Sequence, residues 1–198
     1  MDPVFKGSFP QELFSRLKAS QYGDIQTGDM DLIKSTKTDF LGINYCGVNM
    51  YREKPGSSFF GLAPCKNPDY PEMFNGFVNP DAFVDGLVSL KEEYNNPEML
   101  ITENGAGYGD SDEKLENGKV NDALRTVYIQ KHIKAVNQAI QKGVNIRGYY
   151  VWSMCDNLEW IFGHSRRFGI TYVDFKTQER FPKQSYFWYQ SFLKEQKK

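Results

Sequence analysis

Short apolar runs alternate along the chain with stretches in which apolar residues recur at helical spacing. Three runs have the length of buried strands, namely residues 39–45 (Asp-Phe-Leu-Gly-Ile-Asn-Tyr), 99–102 (Met-Leu-Ile-Thr) and 148–152 (Gly-Tyr-Tyr-Val-Trp). A fourth run, residues 168–175, predicts a short strand after the third. Apolar runs of this length are typical of strands that are covered on both faces.

Several stretches between these runs predict helices. The clearest begins at Asn79-Pro80, because asparagine caps a helix and proline suits its first position. Its apolar stripe is Phe83, Leu87, Leu90 and Tyr94. A longer helix is expected from about Asn121 to a stop at Gly143, with the stripe Ile129, Ile133, Val136 and Ile140. Further helices are expected at residues 10–19, 30–34 and 183–194.

The order strand, helix, strand, helix, strand, helix predicts a parallel α/β architecture. Polar residues gather after each strand, where such folds place their sites. Residues 46–77 show no period and predict a long loop, which is most often functional. Three strand–helix units cannot close a (β/α)₈ ring, which takes about 250 residues. The chain is therefore either a small open α/β domain or a piece of something larger.

Composition excludes several classes of protein. Of the 198 residues, 40% are hydrophobic and 15% aromatic, which is typical of a globular protein and excludes intrinsic disorder. The net charge is −1 and the Lys and Arg residues are scattered, so no nucleic-acid partner is expected. No apolar run approaches the roughly 20 residues that span a bilayer, so no membrane association is expected.

The cysteines and the N-terminus bear on location. Cys46, Cys65 and Cys155 are odd in number and widely spaced, and the sequence has no CxxC or Cys/His metal pattern. Residues 1–7 lack the basic and apolar regions of a secretory signal. Reduced thiols in the cytoplasm, with no metal, are therefore expected.

One candidate for chemistry is Glu103, which directly follows the second strand and precedes Asn104-Gly105. A carboxylate at this point is costly to bury unless hydrogen bonds or a reaction compensate. Glu103 is therefore either a residue that caps a turn or a catalytic group. Asn44, at the end of the first strand, would face the same side, either as a site residue or as a turn former.

The second candidate is the segment 152–160 (Trp-Ser-Met-Cys-Asp-Asn-Leu-Glu-Trp), which follows the third strand. Its indoles match the apolar faces of a sugar, and its carboxylates can accept hydrogen bonds from sugar hydroxyl groups. The segment predicts a sugar-binding loop. The alternative is an aromatic loop that packs on the core.

Four segments together resemble glycoside hydrolase family 1, the β-glucosidase family. Residues 101–105 (Ile-Thr-Glu-Asn-Gly) resemble its nucleophile motif, and residues 151–174 resemble its last strand and following loop. Residues 39–45 resemble its sixth strand, and residues 3–7 resemble a segment before that strand. The resemblance implies the C-terminal part of a (β/α)₈ barrel, strands six to eight with their helices, as one domain fragment over residues 1–198.

The resemblance also implies roles for individual residues. Glu103 would be the nucleophile of a retaining reaction that needs no cofactor. The residues expected to bind a β-glucoside or oligosaccharide substrate are Asn44 near the nucleophile, Trp152 beneath the sugar ring, Glu159 at the outer hydroxyls, Trp160 in the same subsite and Phe168 at the rim.

The sequence departs from the family pattern in two ways. The family's acid/base Glu lies in a Thr-x-Asn-Glu-Pro motif on the fourth strand, and the 198 residues do not contain this motif. Cys46 stands where the family usually has a Tyr that donates a hydrogen bond to the nucleophile, and a thiol is the weaker donor. The isolated chain is therefore expected to be inactive. A partner, either an N-terminal half of the barrel or a second copy, would cover its sheet edges and the strand residues Ile43, Leu100 and Tyr150.

Three functional interpretations stay open at this point. The first is hydrolysis of terminal β-D-glucosyl or galactosyl residues, with this chain supplying the nucleophile. The second is an inactive sugar-binding fragment, and the third is a non-functional truncated product. Phosphorylated sugars fit less well, because Glu159 would repel a phosphate that carries a charge of about −1.5 to −2.

Overall fold

The computed structural model describes residues 1–17, 23–58, 60–109 and 112–196. The helices are α1 (Asp2–Lys6), α2 (Gln11–Arg16), α3 (Asp29–Ser35), α4 (Pro80–Glu93), α5 (Ala123–Gln141) and α6 (Gln184–Gln196). The strands are β1 (Leu41–Asn44), β2 (Met50–Glu53), β3 (Leu62–Cys65), β4 (Glu72–Met73), β5 (Gly76–Phe77), β6 (Met99–Asn104), β7 (Leu115–Glu116), β8 (Lys119–Val120), β9 (Ile146–Val151), β10 (Thr171–Val173) and β11 (Arg180–Pro182).

The fold is organised around a three-stranded parallel sheet in the order β1–β6–β9. The strand β6 lies in the middle, with Ile43 of β1 and Tyr149 of β9 both in register with Ile101. The segment between β1 and β6 ends in α4, and the segment between β6 and β9 ends in α5. Because all three strands run the same way, their carboxyl ends meet at one edge of the sheet.

The main core lies between this sheet and the helices α4 and α5. Met99 and Ile101 of β6 and Ala139 of α5 have no exposed surface, and they pack with Phe83 and Leu87 of α4. Burying a side chain the size of Ile or Met stabilises a fold by about 1.5–3 kcal/mol. These contacts fix the position of β6, the strand that carries Glu103.

The helix α4 begins as the sequence predicts. The Asn79 side-chain oxygen accepts a hydrogen bond from the backbone N–H of Ala82 at 3.0 Å, and Pro80 occupies the first helical position. The strands also lie where the apolar runs predict them, although β6 extends two residues further, so that Glu103 lies inside the strand. The expected strand at 168–175 forms as β10, paired with β11.

Other segments differ from the predictions. The loop expected at residues 46–77 contains two antiparallel hairpins, β2–β3 and β4–β5, whose strands are too short to show a period. The helix α2 ends at Arg16, and the predicted residues 18 and 19 lie outside the described residues. The helix α1 was not predicted, since five residues carry no visible apolar stripe.

The face of the sheet that α4 and α5 leave uncovered carries Leu100, Thr102 and Tyr150. Tyr150 is 58% exposed and Leu100 is half-buried. The expectation of an exposed Ile43 is wrong, because its side chain packs against the core beneath the helices. Within the described residues, β1 and β9 each pair with β6 alone, so each leaves one edge unpaired.

We expect the isolated chain to self-associate or to lack a cooperative unfolding transition, because exposed strand edges and apolar faces promote pairing with other chains. Adding a separately produced N-terminal half that carries the Thr-x-Asn-Glu-Pro motif should give a soluble complex, here called the assembled barrel. Light scattering and a melting curve of both samples test this. A monodisperse 198-residue monomer that melts cooperatively at about 45–65 °C would contradict it.

Candidate active site

The carboxyl ends of β1, β6 and β9 bring three of the expected site residues together. Asn44 is in register with Glu103, and the backbone N–H of Tyr45 donates to the carbonyl of Glu103 at 2.8 Å. The backbone N–H of Trp152 donates to the carbonyl of Asn104 at 2.9 Å. Asn44, Glu103 and Trp152 therefore lie side by side at one edge of the sheet.

The side chain of Asn104 joins the ends of all three strands. It has no exposed surface, and its amide nitrogen donates to the carbonyl of Tyr45 at 2.5 Å and to the hydroxyl of Tyr128 at 3.0 Å. The hydroxyl of Tyr149 donates to the amide oxygen at 2.6 Å. The Tyr128 hydroxyl in turn donates to the carbonyl of Cys46 at 2.9 Å. A fully bonded amide is thus buried directly beside Glu103.

Asn44 is held by a side-chain contact at the same edge. The Thr102 hydroxyl donates to the side-chain oxygen of Asn44 at 2.7 Å. The amide nitrogen of Asn44, which is exposed, remains available to donate to a ligand.

The position after Asn104 requires glycine because the backbone there lies against the backbone of Trp152. A Cβ atom at Gly105 would lie 1.7 Å from the carbonyl oxygen of Trp152. The peptide bond between Trp152 and Ser153 is cis. Only glycine fits this contact, which sets the distance between the end of β6 and Trp152.

The negative charges of Glu103 and Glu159 both act on the thiol of Cys46. Burial raises the pKa of the Cys46 thiol to about 11. A hydrogen bond from the backbone N–H of Gly105 acts in the opposite direction and lowers this pKa. The negative charges of Glu103 and Glu159 add to the rise. Because charges act appreciably only over short distances, both carboxylates lie near this thiol.

Neither carboxylate is paired with another group in the described part of the chain. Both glutamates are half-buried, and among the described residues neither side chain makes a hydrogen bond or an ion pair. The Cys46 thiol likewise makes no hydrogen bond to Glu103 within the part of the chain that the structure describes. A carboxylate without a described partner at the end of a parallel strand, as Glu103 is, is suited to bind or attack a polar ligand.

The loop after β9 carries Trp152 and Glu159 and is anchored between them by Asp156. The Asp156 carboxylate has no exposed surface and accepts from the Arg167 guanidinium at 2.7 Å and from the Lys183 ammonium at 2.9 Å. It also accepts from the backbone N–H groups of Gly169, at 3.0 Å, and Val173, at 3.3 Å. Asp156, one of the two acids in segment 152–160, therefore holds the loop and is not available to bind a ligand.

A network of buried charges extends from this anchor. Lys183 pairs with Glu113, and Glu113 pairs with Arg125. Arg125 pairs with Asp122 at 2.8 Å and also donates to the carbonyl of Ala106, in the loop after β6. The network thus joins the loop that follows Glu103 to the loop that carries Glu159.

Trp160 is placed at the tip of a tight turn. The backbones of Glu159 and Gly163 exchange two hydrogen bonds, of 2.8 and 2.7 Å, which project the residues between them into solvent. Trp160 is 93% exposed and Ile161 is 85% exposed. Within the described residues the Trp160 ring therefore does not line a pocket together with Glu159, although the two residues are adjacent in sequence.

Phe168 does not lie at a rim. It is only 5% exposed, and its ring lies so close to Gly107 that a Cβ there would approach it to 2.5 Å. Its carbonyl accepts a hydrogen bond from the backbone N–H of Ser153 at 3.0 Å. Phe168 is therefore buried in the described structure and does not form an exposed rim, and its contact with a substrate stays a prediction.

Sequence reasoning did not single out Asn104 or the network. Asn104 stands in the quoted motif, but its bonding partners lie 24 to 59 residues away along the chain. Lys183 and Glu113 are of residue types that usually lie at the protein surface, so nothing in the sequence indicates that they are buried. The available signal was the unusual density of polar residues in segment 152–160, which contains Asp156.

Known proteins of one family resemble this chain along its whole length. A protein-family model described as "Glycosyl hydrolase family 1" matches residues 1–198. This chain belongs to glycosyl hydrolase family 1. It is 42% identical over 188 residues to β-glucosidase A of Enterobacter agglomerans, a match that covers 93% of this chain and 39% of that protein.

Two further relatives are similar to almost the whole chain. The 6-phospho-β-galactosidase of Clostridium acetobutylicum is 34% identical over 223 residues, covering 100% of this chain and 46% of that protein. The solved structure of β-glucosidase from Thermotoga maritima in complex with glucoimidazole superposes with a TM-score of 0.86 at 37% identity. That superposition covers 98% of this chain and 42% of the solved one.

The chain thus spans less than half the length of each of these relatives. Its sheet is the C-terminal part of a (β/α)₈ barrel, as the motifs predicted, with β1, β6 and β9 as strands six to eight. In the described ranges no helix is long and apolar enough to cross a bilayer, and no cluster of three or more metal-ligating side chains occurs.

We predict that Gly105→Ala displaces the Trp152 backbone, because the added methyl group cannot fit beside its carbonyl oxygen. Overpacking of this kind costs about 1–3 kcal/mol and sometimes more. The free energy of unfolding of the assembled barrel, measured with urea, should fall accordingly. Gly86→Ala is the matched control, since nothing lies within 4 Å of that site in α4. It should stabilise the helix by about 0.5–1 kcal/mol, and equal losses in both variants would contradict the prediction.

His132 lies beneath the site, stacked on the ring of Tyr128 at 3.9 Å. It has no exposed surface, and its Nδ1 is 2.8 Å from the carbonyl of Tyr128, so that Nδ1 carries the proton. The other ring nitrogen, Nε2, is buried and has no hydrogen-bond partner among the described residues. Burial lowers the pKa of His132 to about 4. The folded state therefore keeps this ring neutral.

We predict that the assembled barrel loses stability as the pH falls below about 6.5, the ordinary pKa of histidine. Between pH 6.5 and 4 the unfolded state binds a proton at His132 that the folded state does not, so acid favours unfolding. The loss at pH 5 relative to pH 7.5 should be about 2 kcal/mol. Urea titrations should show this loss abolished in His132→Leu and kept in His164→Leu. An unchanged pH dependence in His132→Leu would contradict the prediction.

Proposed function

We propose that this chain supplies the nucleophile Glu103 and the sugar-binding residues of a retaining β-glycosidase. The enzyme would hydrolyse terminal β-D-glucosyl or galactosyl residues. The observation that carries the proposal is the half-buried Glu103 carboxylate at the end of β6, which no described residue engages. The effect of both Glu103 and Glu159 on the pKa of the Cys46 thiol supports a shared site.

The reaction would proceed in two steps. The Glu103 carboxylate attacks the anomeric carbon while an acid/base carboxyl group protonates the departing oxygen, which gives a glycosyl ester and a free alcohol. Water, deprotonated by the same acid/base group, then attacks the anomeric carbon and releases the sugar and the Glu103 carboxylate. Retaining enzymes hold the two carboxyl groups about 5–5.5 Å apart. The acid/base group would come from outside residues 1–198.

The substrate would be held by side chains at the same edge of the sheet. The exposed amide of Asn44 can donate to a hydroxyl group, and the Glu159 carboxylate can accept from the outer hydroxyls. Trp152 offers an indole to the apolar face of the ring. Trp160 would complete the subsite only when bound sugar or further residues cover its exposed ring.

An unphosphorylated sugar fits this site better than a phosphorylated one. One relative is named as a 6-phospho-β-galactosidase, so phosphorylated substrates occur among similar proteins. In this chain Glu159 places a negative charge at the outer end of the sugar, where it would repel a phosphate. Two cations of the same loop region, Arg167 and Lys183, are already paired with Asp156.

A cytoplasmic location is part of the proposal. Cys46, Cys65 and Cys155 are all free thiols in the structure. Free thiols persist in reducing compartments. A partner that completes the barrel, either an N-terminal half or a second copy, belongs to the proposal as well, because β1 and β9 each have an unpaired edge in the described part of the fold.

We expect the assembled barrel to hydrolyse cellobiose and the isolated chain to show negligible turnover, since loss of general acid catalysis alone costs about 10²–10⁴-fold. Glu103→Gln should lower kcat of the assembled barrel by at least about 10³-fold, because the covalent route is removed. Glu98→Gln, at an exposed surface pair with Arg147 just before β6, should leave kcat unchanged.

A trapping experiment separates the enzyme from the two alternatives. A 2-deoxy-2-fluoro-β-glucosyl fluoride needs little acid assistance, so it should label Glu103 covalently in the assembled barrel, as peptide mass spectrometry would show. Sugar binding without labelling would support a binding fragment. Neither binding nor labelling would support a non-functional product. Hydrolysis of cellobiose by the pure 198-residue chain would overturn the assignment of the acid/base group to another segment.

A further inference from the structure

We infer that Asp156 is a positioning residue for substrate recognition, one that holds Trp152 and Glu159 in place without touching the sugar. The inference rests on the proposed function, because it concerns the same site. Asp156 stands four residues after Trp152 and three before Glu159, near the middle of the segment that joins them. The Asp156 carboxylate is buried in the protein interior, whereas Trp152 and Glu159 are the residues proposed to contact the sugar.

The contacts of Asp156 fix the loop from several directions. Its two carboxylate oxygens accept four hydrogen bonds, two from cationic side chains and two from backbone N–H groups. Its own backbone N–H donates to the carbonyl of Thr171 at 2.9 Å. The backbone of Gly169 lies so close that a Cβ there would approach the Asp156 nitrogen to 2.1 Å. The loop therefore cannot shift at this residue without breaking several bonds at once.

The rest of the loop is braced by short-range hydrogen bonds. The Ser153 hydroxyl donates to the carbonyl of Cys155 at 2.8 Å, and the Asn157 amide donates to the Ser153 hydroxyl at 3.0 Å. These bonds connect Asp156 to the residue that follows Trp152. In the other direction only Asn157 and Leu158 separate Asp156 from Glu159.

The geometry implies how Asp156 would act on the reaction. Trp152 and Glu159 would contact the face and the outer hydroxyls of one sugar, so their separation must match the sugar ring. A misplacement of about 1 Å can cost up to about 10²-fold in rate. Because Glu159 has no other partner among the described side chains, its position depends on the backbone that Asp156 anchors.

Asp122 provides a matched control for Asp156. Its carboxylate is equally buried and belongs to the same network, and it also accepts from a guanidinium and from a backbone N–H. These partners, Arg125 and Ser185, lie in α5 and α6, whereas those of Asp156 hold the loop after β9. A merely structural role would give the two Asp→Asn variants the same effects.

The test compares Asp156→Asn with Asp122→Asn in the assembled barrel. For p-nitrophenyl β-D-glucoside, Asp156→Asn should lower kcat/KM by at least about 10-fold, mainly through KM, since contacts made by bound substrate are lost. For the β-D-xyloside, which lacks the hydroxymethyl group at the outer end, the loss should be smaller, about 3-fold or less. Asp122→Asn should reduce stability to a similar degree without changing the preference for glucoside over xyloside.

A double-mutant cycle with Glu159→Gln tests whether Asp156 acts through Glu159. In the Glu159→Gln background, Asp156→Asn should cost much less than it does alone, because residues that act through one another are not additive. Full additivity would overturn the inference. If Asp156→Asn does not fold, Arg167→Lys keeps the positive charge and weakens the same anchor, and it should lower the glucoside preference in the same direction.

The outcomes distinguish this inference from the proposed function. If the unmodified assembled barrel neither hydrolyses nor is labelled, the proposed function fails, and the positioning role fails with it. If the unmodified enzyme is active but Asp156→Asn and Asp122→Asn alter both substrates equally, only the positioning role fails. Amide hydrogen exchange adds a readout that needs no activity: residues 153–163 should exchange faster in Asp156→Asn than in Asp122→Asn.

Discussion

The site depends first on a single buried amide. Asn104 bonds to the end of β1, to Tyr149 of β9 and to Tyr128 of α5, while it belongs to β6 itself. A buried amide that lacks its partners is costly, so these bonds favour one relative position of the three strand ends. Glu103 precedes Asn104 directly. The position of the proposed nucleophile is therefore set by an interaction in which it takes no part.

The loops above the sheet are ordered by buried charges as well as by apolar packing. Among the described residues, three buried anions and three buried cations connect the segments after β6 and β9 to the start of α6. Buried ion pairs of this kind add little net stability but strongly disfavour arrangements that leave a charge unpaired. An apolar core would tolerate small shifts of these loops, whereas the paired charges define one geometry.

The sequence predicted those parts of the fold and site that depend on local pattern. The three strands and α4 and α5 were predicted because apolar runs, helical stripes and an Asn-Pro start are local signals. The hairpins between residues 46 and 77 were missed because strands of two to four residues show no period. The rim position of Phe168 was wrong, and the network was missed, because both depend on contacts between segments distant in sequence.

The turn between Glu159 and Gly163 has a consequence for the fate of the chain in a cell. It presents Trp160 and Ile161 to solvent at the tip of a loop that is otherwise firmly anchored. Exposed loop tips are preferred sites of proteolytic cleavage, and exposed apolar side chains promote association with other chains. In a cell, a chain that leaves this turn uncovered would thus be open to cleavage and to unwanted association there.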